Sequence, residues 1–265
     1  MGRWIVSNLP AWLVLVGLLV IVAGGAVLAQ IIVRRRYPGL AADVHNDATR
    51  FAFGVICLVY AFFVGFMASG LWSQINAEDE QVRTEGAAAV QLARDSTVFD
   101  KPDSDRIRQA LLEYEHAALA EWPVVADGRA ASPEADTALH RVYLAYQQVQ
   151  PHTDIQKAFL STSLANLDRA SQARTARVIE TQTNSGPPWS IWTVILLTAG
   201  MVVGCSVIYG VKQPRMDYIM VATVGVLVAA DLFLILELAH PYLGEVATSP
   251  QPLRNVVAVL TGPAT

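Results

Sequence analysis

Residues His45–Gln81, HNDATRFAFGVICLVYAFFVGFMASGLWSQINAEDEQ, decide the fold. The stretch opens on a polar cluster, is wholly apolar in character from Phe51 to Trp72, and runs on into charged sequence with no proline at the exit. About 20 apolar residues, at 1.5 Å of helical rise each, cross the hydrocarbon core of a bilayer. No charge falls between Phe51 and Trp72, so the stretch predicts a transmembrane helix. Ile75, Val82 and Ala89 then recur every seven residues, which carries the same helix on to about Ser96.

The rest of the chain repeats the contrast. Of its 265 residues 53% are hydrophobic and 16% charged, against about 25% charged in soluble domains. The deficit lies in four apolar runs, Leu9–Val33, Phe51–Trp72, Trp189–Val211 and Met216–Leu238. The first passes Val27-Leu28-Ala29, which has the form of a signal cleavage site, and ends only at Arg34-Arg35-Arg36, so it reads as a retained helix. Gly17, Gly24 and Gly25 offer it a small-residue face for close helix contact. Between the second and third runs the chain is polar and helical. Ile107, Leu111, Tyr114, Ala118 and Trp122 share one helix face. Ser132-Pro133 and Thr153–Gln156 have the form of helix starts.

These patterns predict an all-α membrane protein, four transmembrane helices with a helical domain inserted between the second and third. Residues 1–72 carry helices 1 and 2, and residues 73–186 form the helical soluble domain continuous with helices 2 and 3. Residues 187–239 carry helices 3 and 4, and 240–265, rich in proline and small residues, read as an irregular tail.

Sidedness follows from charge. Arg34, Arg35, Arg36 and Arg50 lie in one short loop, and Lys212 and Arg215 in the other. Excess Lys and Arg marks cytoplasmic loops, which puts the N-terminus, the helical domain and the C-terminus outside. Trp4, Trp12, Trp72, Trp189 and Trp192 all fall at the interface opposite those arginines.

Much chemistry is excluded. A net charge of −4 without a basic aromatic face argues against nucleic acid. There is no glycine-rich phosphate loop, HExxH, CxxC or GxSxG, and no two of the five histidines have metal-ligand spacing on one helix. Neither a catalytic group, nor a metal, nor a cofactor is expected. Cys57 and Cys205 sit within apolar runs as packing residues.

The remaining candidates are polar groups near the membrane and one stripe within it. Asp231 lies roughly 10 Å below the interface by helical rise. A carboxylate at that depth costs about 2.5–3.5 kcal/mol, so it faces the bundle interior or a wet cavity, as a hydrogen-bonded structural group or as part of a pathway. Glu237 sits at the helix end, within reach of the interface. His45, Asn46 and Asp47 precede helix 2 as a helix cap or as a polar ring at a pore mouth. Ile56, Tyr60, Phe63 and Met67 share one face of helix 2, either as ordinary packing or as a hydrophobic constriction between several copies.

Arg34–Arg36, His45-Asn46-Asp47 and Leu71-Trp72 recur in an order that resembles the bacterial bestrophin-like membrane proteins. Trp122-Pro123, Leu234-Ile235-Leu236-Glu237-Leu238, Pro241-Tyr242 and Ser249-Pro250 continue the resemblance, which spans about Asp43 to Leu253. It implies a multi-pass protein of the bacterial cell membrane. Bestrophins are pentameric anion channels lined by the second helix, so the resemblance implies a homo-oligomer with helix 2 at its axis and Ile56, Tyr60 and Phe63 as neck residues. The alternative class is a non-transporting scaffold or sensor whose helical domain binds a partner protein near Tyr114, Trp122, Tyr143 and Tyr146. Those aromatics serve equally as core.

Overall fold

A computed structural model of the chain describes residues 2–36, 46–126, 131–183, 186–208 and 214–262. Among the described residues every regular element is a helix. The chain divides into two compact units, Met1–Gln74 with Gly186–Ala247, and Ile75–Ser185 with Thr248–Thr265.

The first unit holds α1 (Gly2–Asn8), α2 (Ala11–Leu19), a π-helical turn at Val20–Gly24, α3 (Gly25–Arg36), the first half of α4 (Asn46–Asp95), α8 (Trp189–Ile208) and α9 (Pro214–Leu238). Four helical stretches are long and apolar enough to cross a membrane, Ala11–Arg36, Phe51–Val98, Trp189–Ile208 and Arg215–Leu238. The first is not the single regular helix its sequence predicts. A π turn interrupts it just before Gly25, and Pro10, extended at φ −64° and ψ 140°, separates it from α1.

The π turn relocates the close helix contact. Gly17, Gly24 and Gly25 face open space, whereas the backbone of Ala23 packs against Gly225 of α9, where an added Cβ would stand 2.6 Å from the Ala23 Cα. One extra residue in the turn shifts which side chains face the neighbour, a shift that a regular 3.6-residue period cannot show.

The second unit contains the rest of α4, α5 (Lys101–Ala126), α6 (Pro133–Gln147), α7 (Asp154–Thr183) and α10 (Gln251–Thr261). Local signals set its helix starts. The Ser132 hydroxyl accepts from the Ala135 amide with Pro133 in the first turn. Thr153 accepts from the Gln156 amide, while the Gln156 side chain reaches back to the amide of His152, one residue before the usual capping-box partner. The core gathers Leu92, Phe99, Ile107, Leu111, Val142 and Leu167 around Tyr114 and Tyr146, with Trp122 and Tyr143 packed against it.

The expected irregular tail is corrected at residues 251–261, which form α10. Pro250 caps this helix and Pro252 occupies its first turn, where no backbone N–H is required. Leu253, Val256 and Leu260 are buried in the core, and the Arg108 guanidinium donates to the Leu260 carbonyl at 2.8 Å. Pro252 lies so close to α4 that a Cβ on Gly86 would stand 2.8 Å from its ring.

Gly225→Val should therefore destabilise the four-span unit by about 1–3 kcal/mol through overpacking. Gly24→Ala should stay within about 0.5 kcal/mol. Thermal melting of the two full-length variants in detergent separates them.

Candidate functional site

Within the first unit α4 has two unlike faces. Tyr60, Val64 and Leu71 are buried on one, with Ile56, Phe63 and Met67 half-buried beside them. The stripe singled out by sequence is thus the face turned towards the protein's own neighbours. On the opposite face Leu58, Phe62 and Phe66, at i, i+4 and i+8, are 58%, 62% and 77% exposed. They line an open groove with Ala61, Gly65 and Ser69. Gly54, Gly65 and Gly70 have no atom within 4 Å of an added Cβ, so this face is open as well as apolar.

The intramembrane polar candidates separate. Asp231 of α9 is half-buried and faces the Tyr60 hydroxyl, which is itself buried without a well-formed hydrogen bond. The fold therefore brings together Asp231 and one member of the α4 stripe. Glu237 does not reach for the interface as its position suggested. It is 4% exposed, and one carboxylate oxygen accepts from the Glu245 amide at 3.4 Å. Gly244, at φ +90°, makes room for it, since a Cβ there would fall 2.5 Å from that oxygen. Glu237 thus holds the turn that follows α9. His45 and the side chains of Asn46 and Asp47 lie outside the described residues.

The second unit carries a buried charge network that no motif announced. Arg177 of α7 is fully buried and donates from Nε to Glu85 of α4 at 3.0 Å, with Nη2 at 3.3 Å from the other carboxylate oxygen. The Tyr114 hydroxyl of α5 donates to Glu85 at 2.7 Å, and the Arg177 guanidinium lies 5.2 Å over the Trp122 ring. Arg174, one turn earlier, pairs with Glu121 at 2.9 Å and Asp136 at 2.6 Å. Glu121 also accepts from the Ser132 amide at 2.7 Å. Burial works against the Arg177 charge, but Glu85 outweighs it and the guanidinium is held above its ordinary pKa.

Glu115 is the odd member. It is 0% exposed and neither carboxylate oxygen has a hydrogen-bond partner. Burial first, and then the neighbouring Glu85 charge, push its carboxyl well above the usual carboxylate range, and Arg177 only partly offsets them. The packed unit accordingly favours the neutral form of Glu115.

No group of three or more His, Cys, Asp or Glu residues that could hold a metal ion occurs among the described residues. The chemistry on offer is a long helix with one open apolar face, polar groups behind it, and a charged interior in the adjoining unit. The family model for the bestrophin-like domain matches residues 20–253. The chain belongs to the bestrophin-like family. Two solved structures share its fold. One is the crystal structure of a membrane protein carrying a point substitution, 14% identical, covering 92% of this chain and 99% of that one at a TM-score of 0.70. The other is a point variant of a bacterial bestrophin homologue from Klebsiella pneumoniae, 13% identical, covering 94% of this chain and 99% of that one at a TM-score of 0.67. No curated protein matches.

A signal for the network of this bestrophin-like chain was present in its sequence. Glu115 falls four residues after Leu111 and three before Ala118, on the apolar face of α5, and Glu85 falls between Val82 and Ala89 on the seven-residue stripe of α4. Charges on an apolar face mark buried groups, of which Glu85 is paired and Glu115 has no hydrogen-bond partner. The charged partner of Glu85 lies on α7, 92 residues away in the sequence.

Glu115 gives a pH dependence of definite sign. Its folded-state pKa is raised, so above about pH 4.5 the unfolded chain releases this proton before the folded chain does, and stability falls with rising pH until the folded pKa is passed. The slope is at most about 1.4 kcal/mol per pH unit. Glu115→Gln should remove this contribution and raise the melting temperature at neutral pH. Melting curves of both full-length proteins from pH 5 to 9 check it, and parallel curves would refute the assignment.

Proposed function

We propose that the chain is the subunit of an oligomeric anion channel of the bacterial cell membrane, with α4 at the shared axis. The observation that carries this reading is the exposed stripe Leu58, Phe62 and Phe66. A side chain lining an axial pore must be free within its own subunit, as these three are and Tyr60 is not. The open glycines beside them permit close approach of a second copy, because backbones pack together where side chains are small. Rings of Leu and Phe around an axis form a constriction that gates by dewetting. Membership of the bestrophin-like family and the resemblance to bestrophins support anion transport and oligomerisation. Asp231 and Tyr60 stand behind the pore-facing side of α4 and contribute to holding that helix. The arginine count supports an orientation with both termini and the helical unit outside.

A non-transporting scaffold is the second reading, favoured by one observation. Ile155 and Phe159, at i and i+4 on α7, are 66% and 37% exposed and would suit a partner protein. Tyr114 and Tyr146, suggested for that role by sequence, are buried in the core.

Planar-bilayer recording across a chloride gradient tests the channel. The native chain should pass an anion-selective current that Phe62→Ala changes more strongly than Tyr60→Ala. A current altered by Tyr60→Ala alone would move the lining to the inward stripe. Loss of cation selectivity in Asp231→Asn would reject an anion pathway. Silent bilayers from folded oligomers would leave the scaffold.

A further inference from the structure

One end of the four-span unit concentrates positive charge in a defined geometry. Asp217, in the first turn of α9, is 1% exposed, and its Oδ2 accepts from Arg34 Nε at 2.9 Å and Nη2 at 2.8 Å. The Gln30 side-chain amide donates to the same oxygen, and the Arg34 guanidinium lies 5.8 Å from the centre of the Tyr218 ring. These contacts tie the last turns of α3 to the first turn of α9, so both helix ends lie at one membrane surface.

Among the described residues the charge there is one-sided. Arg34 and Gln30 both donate to Oδ2 of the Asp217 carboxylate. Arg35 and Arg36 at the end of α3, and Arg215 at the start of α9, are exposed and pair with no acid among the described residues. All three stand at the ends of stretches long and apolar enough to cross a membrane, and the ends of such helices meet the lipid headgroups. Guanidinium groups are suited to phosphate, which accepts two parallel hydrogen bonds from one fork.

We propose that Arg35, Arg36 and Arg215 form a binding rim for the phosphate of an anionic phospholipid headgroup, with the Arg34–Asp217 pair holding the two helix ends together. The inference requires only that the unit sits in a membrane, and it stands whether or not the protein conducts ions.

Native mass spectrometry of the purified full chain tests it, comparing phosphatidylglycerol with phosphatidylcholine of the same acyl chains. The native protein should retain phosphatidylglycerol in preference, and that preference should weaken as ionic strength rises. Each of Arg35→Gln, Arg36→Gln and Arg215→Gln should lower retention by about fivefold. Arg254→Gln, an exposed arginine in the other unit, should leave it unchanged. Equal retention of the two lipids, or a triple variant that holds phosphatidylglycerol as the native chain does, would overturn the proposal. Complete displacement by inorganic phosphate at matched ionic strength would also overturn it, by making the rim a general phosphate site.

Discussion

Hydrocarbon offers no hydrogen bonds, and this constraint shapes the membrane half of the molecule. A backbone that crosses it must satisfy its own amides and carbonyls, which leaves the helix as the form open to apolar runs such as Phe51–Trp72. Departures are correspondingly local. The π turn at Val20–Gly24 keeps the backbone bonded while re-aiming Ala23 at Gly225, and Pro10 falls between helices, where its missing N–H is harmless. The buried carboxylate of Asp217 is paired for the same reason, with Arg34 and Gln30.

The second unit obeys another rule. An apolar core holds it together, yet this core also encloses Glu85, Glu115, Glu121, Arg174 and Arg177. Replacing such pairs by well-packed apolar groups is often neutral or stabilising, whereas deleting one partner costs about 3–5 kcal/mol. The network therefore acts mainly on geometry. Arg177 meets Glu85 only when α4 and α7 are in register, and Tyr114 adds α5 to the same carboxylate.

Charge and apolarity divide the labour. Among the described residues the open face of α4 is apolar, with Leu58, Phe62 and Phe66 exposed, while Tyr60 and Glu237 are buried away from it. Arg35, Arg36 and Arg215 at the helix ends are exposed and pair with no acid among the described residues.

Composition and hydropathy by themselves determined the membrane class, the four spans, the continuation of α4 to Asp95 and the helical character of the rest. Each of these depends on local rise, local caps or the water–lipid transfer of a contiguous run, all of which are written in neighbouring residues. The amphipathic pattern of α10 was equally local, with Leu253, Val256 and Leu260 on one face, but two prolines that start the helix read as signs of irregularity. Only the tertiary structure decided which face of α4 turns inward. Apolar residues surround that helix on all sides, so periodicity holds no record of the choice between Tyr60 and Phe62. The meeting of Glu85 with Arg177, and of Arg34 with Asp217, was decided at the same level, because partners 92 and 183 residues apart are chosen by packing and not by spacing along the chain.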